Sequence, residues 1–298
     1  MEGTDNREIC CIGRNSPAYP NKLKYYSDMP EKIYVKGQLP KETLPAIAIV
    51  GARMCSPYGR IQAFRYAKCL SEAGVQVISG MAYGIDSEGH RGAMEGGMPT
   101  YAVLGNGVDI CYPARNQALY RRILHKDGGI LSEYPPGIKA RTYFFPARNR
   151  IISALADVVL VVEAKEKSGS LITAQYALEQ GKPVYAVPGA VSEALSRGCH
   201  KLIYDGAGIA YTPEVLLSEW GISVKNQKKS FEKNKLGLAS DLKLLYSCLD
   251  LRPKSLDDLI RRTGLPPEKI SSLLLELELM GLARERGRQY IKQDCTDS

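Results

Sequence analysis

Aromatic and cationic side chains stand together in one short segment of the sequence, YFFPARNRIISAL, residues 143–155. Phe144 and Phe145 lie close in sequence to Arg148, Asn149 and Arg150. Aromatic rings stack on the bases of single-stranded nucleic acid, at ~1–3 kcal/mol per base, while neighbouring cations follow the phosphates. The segment therefore predicts a surface for single-stranded nucleic acid. An alternative role, anchoring the start of a helix in the core, is expected for one phenylalanine and not for both.

A second group of residues is typical of phosphate binding. Gly51, Ala52 and Arg53 follow a short apolar run, and Ser56 and Pro57 are preferred at the N-cap and first position of a helix. Glycine permits close backbone approach, helix N-terminal amides attract anions, and a guanidinium group can bind phosphate through two hydrogen bonds. We expect phosphate contacts from Gly51, Arg53 and Ser56. The alternative is a tight strand-to-helix turn that carries a surface arginine.

Two further loops are rich in small residues. The loop SGMAYGID ends at Asp86, a candidate helix cap, and the loop SGS precedes another helix-like segment. His90 follows Asp86 by four residues, a spacing that could orient an imidazole for acid–base chemistry, but a hydrogen-bonded structural histidine is the preferred interpretation. The phosphate-binding candidates in these loops are Gly80, Gly84, Ser168, Gly169 and Ser170.

Positive charge is concentrated in part of the chain. Lys and Arg total 40 against 32 Asp and Glu, a net charge of +8. Residues 113–150 hold eight basic and two acidic side chains, and residues 225–235 hold five lysines and one glutamate. Basic stretches suit polyanions, which adds Arg115 and Lys139 to the candidate phosphate contacts. A solvated charged loop is the alternative.

Several other classes of protein and site are disfavoured. The eight cysteines form no C-x-x-C pair, the three histidines are scattered, and no signal peptide or long apolar run is evident. We expect a cytoplasmic protein that has no metal site and no membrane segment. The segment VLGNGVDICYPARN fails the dinucleotide fingerprint, and the chain contains no Walker A motif. We therefore expect no nucleotide cofactor.

Short apolar runs alternate with helix-like segments after residue 45. The predicted strands cover residues 46–50, 75–79, 100–104, 129–132, 157–162 and 183–187, with a short one near Ile209. The predicted helices cover residues 58–73, 86–95, 117–126, 149–155, 170–180 and 213–219. This pattern predicts an α/β fold, an extended Rossmann-like, doubly wound and mostly parallel sheet. The candidate residues should then meet at the carboxyl ends of the strands.

Four segments follow from this pattern. Residues 1–45 are interrupted by prolines and predict an irregular lead-in without a full helical N-terminal domain. Residues 46–223 form the predicted Rossmann-like, single-strand-binding domain, and residues 224–238 a basic linker. Residues 239–298 predict three helices and a hairpin, a small winged helix-turn-helix domain.

An ordered set of motifs resembles the DprA/Smf family. The motifs are VGARMCSPYG, SGMAYGIDSEGH, VLGNGVDICYP, LSEYPPG, FFPARNRIISAL, VVEAKEKSGSLITAQYA and VYAVPG. The resemblance implies a bacterial cytoplasmic protein that is not an enzyme and that forms a homodimer through its Rossmann-like domain. Such a protein would bind and protect incoming single-stranded DNA and load the recombinase RecA in natural transformation and recombination.

The family's DNA-binding positions fall on particular residues of this sequence. Its arginine after the first strand falls on Arg53, and its F-P-x-R-N-R segment places aromatic and basic contacts on Phe145, Arg148 and Arg150. The SGS loop would add backbone contacts to phosphate. The usual G-S-R reads Gly-Ala-Arg here, which removes one hydroxyl and should cost little. The family's frequent N-terminal helical domain is expected to be missing.

Two other functional classes compete with this interpretation. Phosphoribohydrolase-like enzymes share a Rossmann-like fold and would make the chain a nucleotide-binding or nucleotide-processing enzyme. They carry a P-G-G-x-G-T loop and a nearby Glu, whereas residues 167–173 read KSGSLIT.

A pure protein-interaction module is the third possibility. The winged-helix segment is electrically neutral, with ten basic and ten acidic residues after residue 235, which favours a protein contact or a regulatory role over duplex binding.

Overall fold

The computed structural model describes residues 7–222, 240–250, 253–287 and 289–292. The chain divides into two units, Met1–Lys225 and Asn226–Ser298. The predicted linker, residues 224–238, lies outside the described residues. In the part of the chain that is described, no helix is both long and apolar enough to cross a lipid bilayer.

Strands and helices alternate through most of the first unit. Its strands are β1 (Ile9–Gly13), β2 (Lys32–Gly37), β3 (Ala46–Val50), β4 (Gln76–Ser79), β5 (Thr100–Leu104), β6 (Gly129–Ser132), β7 (Val158–Val161), β8 (Val184–Ala186) and β9 (Gly208–Ile209). Its helices are α1 (Asn21–Lys24), α2 (Pro57–Glu72), α3 (Ile85–Glu95), α4 (Gln117–His125), α5 (Phe144–Leu155), α6 (Gly169–Glu179), α7 (Arg197–Tyr204) and α8 (Pro213–Glu219). The predicted strands after residue 45 are confirmed, as is the α/β class.

These strands form one mixed sheet in the order β1-β2-β6-β5-β4-β3-β7-β8-β9. The seven strands from β3 to β9 pair in parallel. From β3 the chain adds β4, β5 and β6 on one side, and it then crosses back to add β7, β8 and β9 on the other side of β3. In doubly wound sheets, ligands bind outside the carboxyl ends of the strands at such a switch point. The fold therefore directs attention to the loops that follow β3, β4 and β7.

Strand β3 shows how helices cover both faces of the sheet. All five of its residues are buried. Ile47 and Ile49 pack with α2 side chains such as Tyr66, whereas Ala48 and Val50 belong to a separate core cluster with α5. Successive side chains of a strand point to opposite faces, so a strand covered on both sides reads as a continuous apolar run.

The prediction of an irregular lead-in is wrong for two segments of the N-terminal region. Strand β2 pairs antiparallel with β6, and β1 pairs antiparallel with β2, so both extend the sheet. Ile33 and Val35 alternate along β2 and are both buried. The helix-breaking prolines Pro17, Pro20 and Pro30 lie between these strands, where they do not interrupt the ladder.

Helix α5 begins five residues earlier than predicted, at Phe144 instead of Asn149. Pro146 therefore lies in its first turn, where the missing N–H of proline has no intrahelical partner to lose. The start of α2 is as predicted, because Ser56 Oγ accepts a hydrogen bond from Gly59 N at 3.0 Å. The early start of α5 places both phenylalanines on a helix instead of in a loop.

The second unit has its own hydrophobic core. It contains α9 (Ser240–Cys248), β10 (Lys254–Ser255), α10 (Leu256–Thr263), α11 (Pro267–Leu279), β11 (Ala283–Arg286) and β12 (Gln289–Lys292), with strand order β10-β12-β11. Leu245, Leu259 and Leu274 from its three helices are buried together. The unit is the winged helix-turn-helix that the sequence predicts.

Candidate nucleic-acid interface

A cleft of about 430 Å³ opens at the carboxyl end of β3. We call it the rim cleft; the loops after β3, β4, β5 and β7 and the start of α5 surround it. The predicted contacts that line it are Gly51, Arg53, Phe145, Arg148, Asn149, Ser168, Gly169 and Ser170. Its other lining residues include Tyr112, Asp86 and Thr173. Segments far apart in sequence therefore meet at the predicted edge of the sheet.

Arg53 and Phe145 meet at the rim cleft. The Arg53 guanidinium carbon lies 5.1 Å from the centre of the Phe145 ring, and Arg53 is exposed. The Tyr112 ring stacks with Phe145 at a centroid distance of 5.5 Å, inclined by 27°. The cleft thus combines an accessible cation with two adjacent aromatic rings. Sequence reasoning missed Tyr112, although it noted the Tyr-Pro pair that ends the loop after β5.

Phe144 belongs to a different aromatic cluster. Its ring stacks on Tyr134 at 3.9 Å and meets the edge of Tyr143 at 4.6 Å. Arg141 lies 5.9 Å from the same ring. Phe144 does not line the rim cleft, and both phenylalanines are partly exposed instead of buried in the core. The structure therefore separates two residues that are adjacent in sequence.

Arg148 is held below the rim cleft by the protein itself. It is only 4% exposed, and its Nη1 donates to the carbonyls of Gly80, at 2.7 Å, and Val103. Burial lowers the pKa of its guanidinium to about 10. A Cβ on Gly80 would lie 2.2 Å from Arg148 Nη1, so only glycine leaves room for this side chain. The predicted contacts Gly80 and Arg148 thus pack against each other.

Arg150 points away from the rim cleft. Its Nη2 donates to Glu133 Oε2 at 2.7 Å, and its Nε donates to the Asp28 carbonyl at 3.0 Å. The Glu133 carboxylate and its hydrogen bonds raise the pKa of Arg150, against the effect of burial. The structure does not bring Arg150 to the cleft. The guanidinium instead links α5 to the segment before β2 and to the end of β6.

A carboxylate of the protein occupies the N-terminus of α2. Glu163 follows β7 and is buried; its Oε2 accepts from Ser56 N at 2.9 Å and its Oε1 from Ser56 Oγ at 2.5 Å. A Cβ on Gly59 would lie 2.2 Å from Glu163 Oε2. The anion at this helix N-terminus is therefore a carboxylate of the protein itself, and it occupies the amide and hydroxyl of Ser56, a predicted phosphate contact. Sequence reasoning assigned Glu163 no role.

The loop between β7 and α6 stays open. Ser168 caps α6, and its Oγ lies 2.8 Å from Ser170 Oγ. Gly169 is exposed, and a Cβ on it would meet no other part of the chain within 4 Å. Its carbonyl accepts a hydrogen bond from Asn149 Nδ2 at 3.1 Å, which joins this loop to α5. The predicted contacts Arg115 and Lys139 are exposed but lie outside the lining of the rim cleft.

Gly84 shapes the loop that carries Arg53. It precedes α3 with φ of 75°, and a Cβ there would lie 2.3 Å from the Ala52 carbonyl oxygen and 2.6 Å from that of Arg53. Ile85 N donates to the Ala52 carbonyl at 3.3 Å. Gly84 therefore acts by allowing close packing between the loops after β3 and β4.

Asp86 and His90 are both buried on α3. Asp86 Oδ2 accepts from Gly80 N at 3.1 Å and Ala82 N at 3.4 Å, and burial raises its carboxyl pKa. His90 Nδ1 lies 2.7 Å from Thr100 Oγ1, and burial lowers the pKa of the imidazole to about 3. The preferred structural interpretation of His90 is confirmed. Among the described residues, no group of three or more His, Cys, Asp or Glu side chains could hold a metal ion.

Both units of the chain match models of known protein families. The family model for DNA recombination-mediator protein A matches residues 10–221, and the model for the DprA winged helix domain matches residues 230–287. The chain belongs to the DprA/Smf family. Its relatives include DNA processing protein DprA of Streptococcus pneumoniae, 41% identical over 68% of this chain and 71% of that protein. Protein Smf of Escherichia coli is 35% identical over 91% of this chain and 74% of its own length.

Two solved structures of the family resemble this one. The structure of DprA from Streptococcus pneumoniae matches with a TM-score of 0.67 and 38% identity, covering 71% of this chain and 74% of that one. A structure described as giving the single-stranded DNA binding mode of DNA processing protein A from Helicobacter pylori matches with a TM-score of 0.64 and 27% identity. The second match covers 72% of this chain and 96% of that chain. Each of the two structural matches therefore covers more than two thirds of this chain.

Proposed function

We propose that this chain binds and protects incoming single-stranded DNA in the rim cleft and loads RecA onto it, acting as a cytoplasmic homodimer and not as an enzyme. The observation that carries the proposal is the exposed Arg53 guanidinium beside the Phe145 ring in an open cleft. The Helicobacter pylori relative described as binding single-stranded DNA gives independent support.

In this proposal, each side chain of the rim cleft has a separate task. Phe145 stacks on a base, and Tyr112 supports its ring. Arg53 pairs with a phosphate, and the open loop around Gly169 lets the backbone of the strand approach closely. A base can use the ring face that Arg53 covers only if the guanidinium moves away from it. None of these contacts reads a base edge, so we expect binding that tolerates any sequence.

Arg148 has an indirect role in the same proposal. Its buried guanidinium holds the carbonyls of Gly80 and Val103 below the cleft, so it fixes the loop after β4 to the end of β5. It also lies 6.0 Å from the Phe145 ring. We assign Arg148 to positioning the cleft, and the phosphate contact to Arg53.

The experiment measures the fluorescence anisotropy of a labelled oligothymidine across a salt series. Phe145→Ala should weaken binding by ~1–3 kcal/mol, and Arg53→Glu should lower the log–log salt slope by ~0.7 or more. Phe144→Ala is the matched control, because it removes an identical side chain that does not line the cleft. Equal losses in the two alanine variants would contradict the assignment of the cleft. A parent protein that does not bind would overturn the proposal itself.

The homodimer and RecA loading need measurements of their own. Light scattering should give about twice the chain mass of 32.8 kDa. On single-stranded DNA coated with a single-strand-binding protein, RecA hydrolyses ATP after a lag, and this lag should shorten when the present protein is added. The Arg53→Glu variant should not shorten the lag. A lag that is the same with and without the parent would remove RecA loading from the proposal while leaving DNA binding intact.

The nucleotide-processing alternative has little support in the rim cleft. Among the described residues that line it, Asp86 is the one carboxylate, and two backbone amides bind its Oδ2. Glycosidic hydrolysis requires an acid and a base placed on either side of the bond. We expect no release of base from nucleoside monophosphates over many turnovers, and sustained release would favour the enzyme instead.

A further inference from the structure

A second cleft, of about 490 Å³, adjoins the rim cleft. It lies between the loop after β3, the start of α2 and the exposed side of α3. Arg53 lines both clefts, so the two share one guanidinium. We call the second one the arginine cleft, because Arg60 and Arg91 line it together with Arg53.

The charges in the arginine cleft favour an anionic ligand. Arg60 Nη1 and Arg91 Nη1 lie 3.8 Å and 2.7 Å from the same oxygen, Glu88 Oε1. This carboxylate holds the two guanidinium groups side by side and offsets one positive charge of three. The Arg60 and Arg91 side chains remain 51% and 42% exposed, whereas that of Glu88 is 15% exposed. Both cations therefore stay accessible to a ligand, and the shared ion-pair partner keeps them close to each other.

Apolar surface accompanies these cations. Tyr83 is 40% exposed and Met54 is 88% exposed, and both line the arginine cleft. An exposed ring among guanidinium groups matches the two parts of a nucleotide, a base with a flat face and a charged phosphate. An acidic protein segment would use the cations but would gain less from the ring. Continuity with the rim cleft through Arg53 also favours one continuous strand.

We propose that the arginine cleft binds the next nucleotides of the same single strand, with phosphates at Arg60 and Arg91 and a base against Tyr83. This inference rests on the proposed function of the rim cleft. It extends the contact of each chain beyond that cleft and makes Arg53 the point where the strand passes from one cleft to the other. Neither Arg60, Arg91 nor Tyr83 belongs to the contacts assigned to the rim cleft.

The test compares short and long strands. We would measure the binding of oligothymidines of about 4 and about 15 nucleotides, lengths that bracket typical single-strand sites. Arg60→Glu and Arg91→Glu should each weaken binding of the longer strand roughly tenfold and lower its salt slope by ~0.7, because each removes a phosphate contact. The short strand should change less than about twofold, since the rim cleft alone can hold it.

Arg122→Glu is the matched control for these charge reversals. Arg122 is exposed in the last turn of α4 and lines neither cleft. It should leave both strand lengths unaffected. Tyr83→Ala adds a variant with no charge change, and it should weaken the longer strand alone. Circular dichroism would verify that every variant is folded.

The outcomes separate this inference from the proposed function. If the parent binds both strands and the three variants match Arg122→Glu, the arginine cleft does not bind the strand, and Phe145→Ala then tests the rim cleft on its own. If the variants bind both strands normally but RecA loading fails, the cleft serves a protein partner and the inference is overturned. A parent that binds neither strand defeats the proposed function first.

Discussion

At the scale of single residues, His90 has an unusual environment for an imidazole. It is 0% exposed, and its Nδ1 lies 2.7 Å from the hydroxyl of Thr100. That hydroxyl donates its one hydrogen to the Val77 carbonyl at 2.7 Å, so His90 Nδ1 must carry the proton and donate. The buried ring is therefore neutral, and α3 is tied through it to β5 and β4.

The neutral state of His90 predicts a pH dependence of stability. Burial lowers its pKa from 6.5 to about 3, so between these values the unfolded chain binds a proton that the folded chain does not. Stability should therefore fall as pH falls, and from pH 6.5 to about pH 5 this group should cost about 2 kcal/mol. His90→Gln removes the titrating group. Urea unfolding at both pH values should show a smaller acid-induced loss in the variant, by about that amount.

Asp86 has the opposite effect on stability over part of this pH range. Its folded-state pKa is raised, so its carboxyl binds protons more readily in the folded chain as the pH falls. The carboxyl is present in both proteins, and the difference between parent and His90→Gln therefore isolates the histidine. Equal losses of stability in the two proteins would mean that the imidazole is protonated in the folded state.

The FFPARNR segment marks the limit of prediction for individual side chains. The residue types indicated a nucleic-acid surface, and the segment does supply Phe145 and Asn149 to the rim cleft. Spacing alone did not reveal that Arg148 is buried and that Arg150 binds Glu133. These directions depend on where α5 begins and on which strands it covers. Because α5 starts five residues earlier than expected, residues 144–148 lie on successive sides of a helix instead of in a loop.

At the scale of elements, the contact between the loop after β3 and the start of α3 depends on Gly84. Gly84→Ala should destabilise the fold by about 3 kcal/mol, because a Cβ would clash with two carbonyls and the residue would keep a positive φ. It should also weaken binding of single-stranded DNA, since the loop carries Arg53. Urea unfolding and anisotropy measure the two effects.

Gly97→Ala is the control for the backbone contribution. Gly97 also has a positive φ, of 97°, but no atom beyond its chain neighbours lies within 4 Å of its Cβ position. The cost should be about 1 kcal/mol, with DNA binding unchanged. If the two glycine variants lose equal stability, close packing around Gly84 contributes nothing and the conformational cost explains both.

The parallel strands were predictable because they are buried on both faces. Each reads as an apolar run, and β3 is the clearest example, with AIAIV fully buried. Strands β1 and β2 have weaker patterns, and they enter the sheet only by pairing with β6, nearly a hundred residues later in the chain. The alternation of Ile33 and Val35 was a usable signal, but the surrounding prolines outweighed it.

At the scale of the whole molecule, the two units have separate hydrophobic cores. A protein ending at residue 238 keeps the basic segment and loses only the winged helix. It should bind oligothymidine within about twofold of the full chain. The removed residues have a net charge of zero, so in the full chain they would displace few counterions from the strand. A protein ending at residue 222 also loses five lysines and should have a smaller salt slope. Strong loss of binding in the first protein would assign single-strand contacts to the winged helix.

The order of strands in the sheet also governs how the chain can fold during synthesis. Strand β3 is fully buried between β4 and β7, yet β7 leaves the ribosome long after β3. Until then, β3 presents an apolar, unpaired edge to solvent, the kind of surface on which nascent chains aggregate. Strands β1 and β2 likewise cannot join the sheet until β6 has left the ribosome, because β2 pairs with β6. Nascent chains that stall before residue 158 should therefore depend strongly on chaperones. Chains released after β7 can complete the centre of the sheet and should depend on them less.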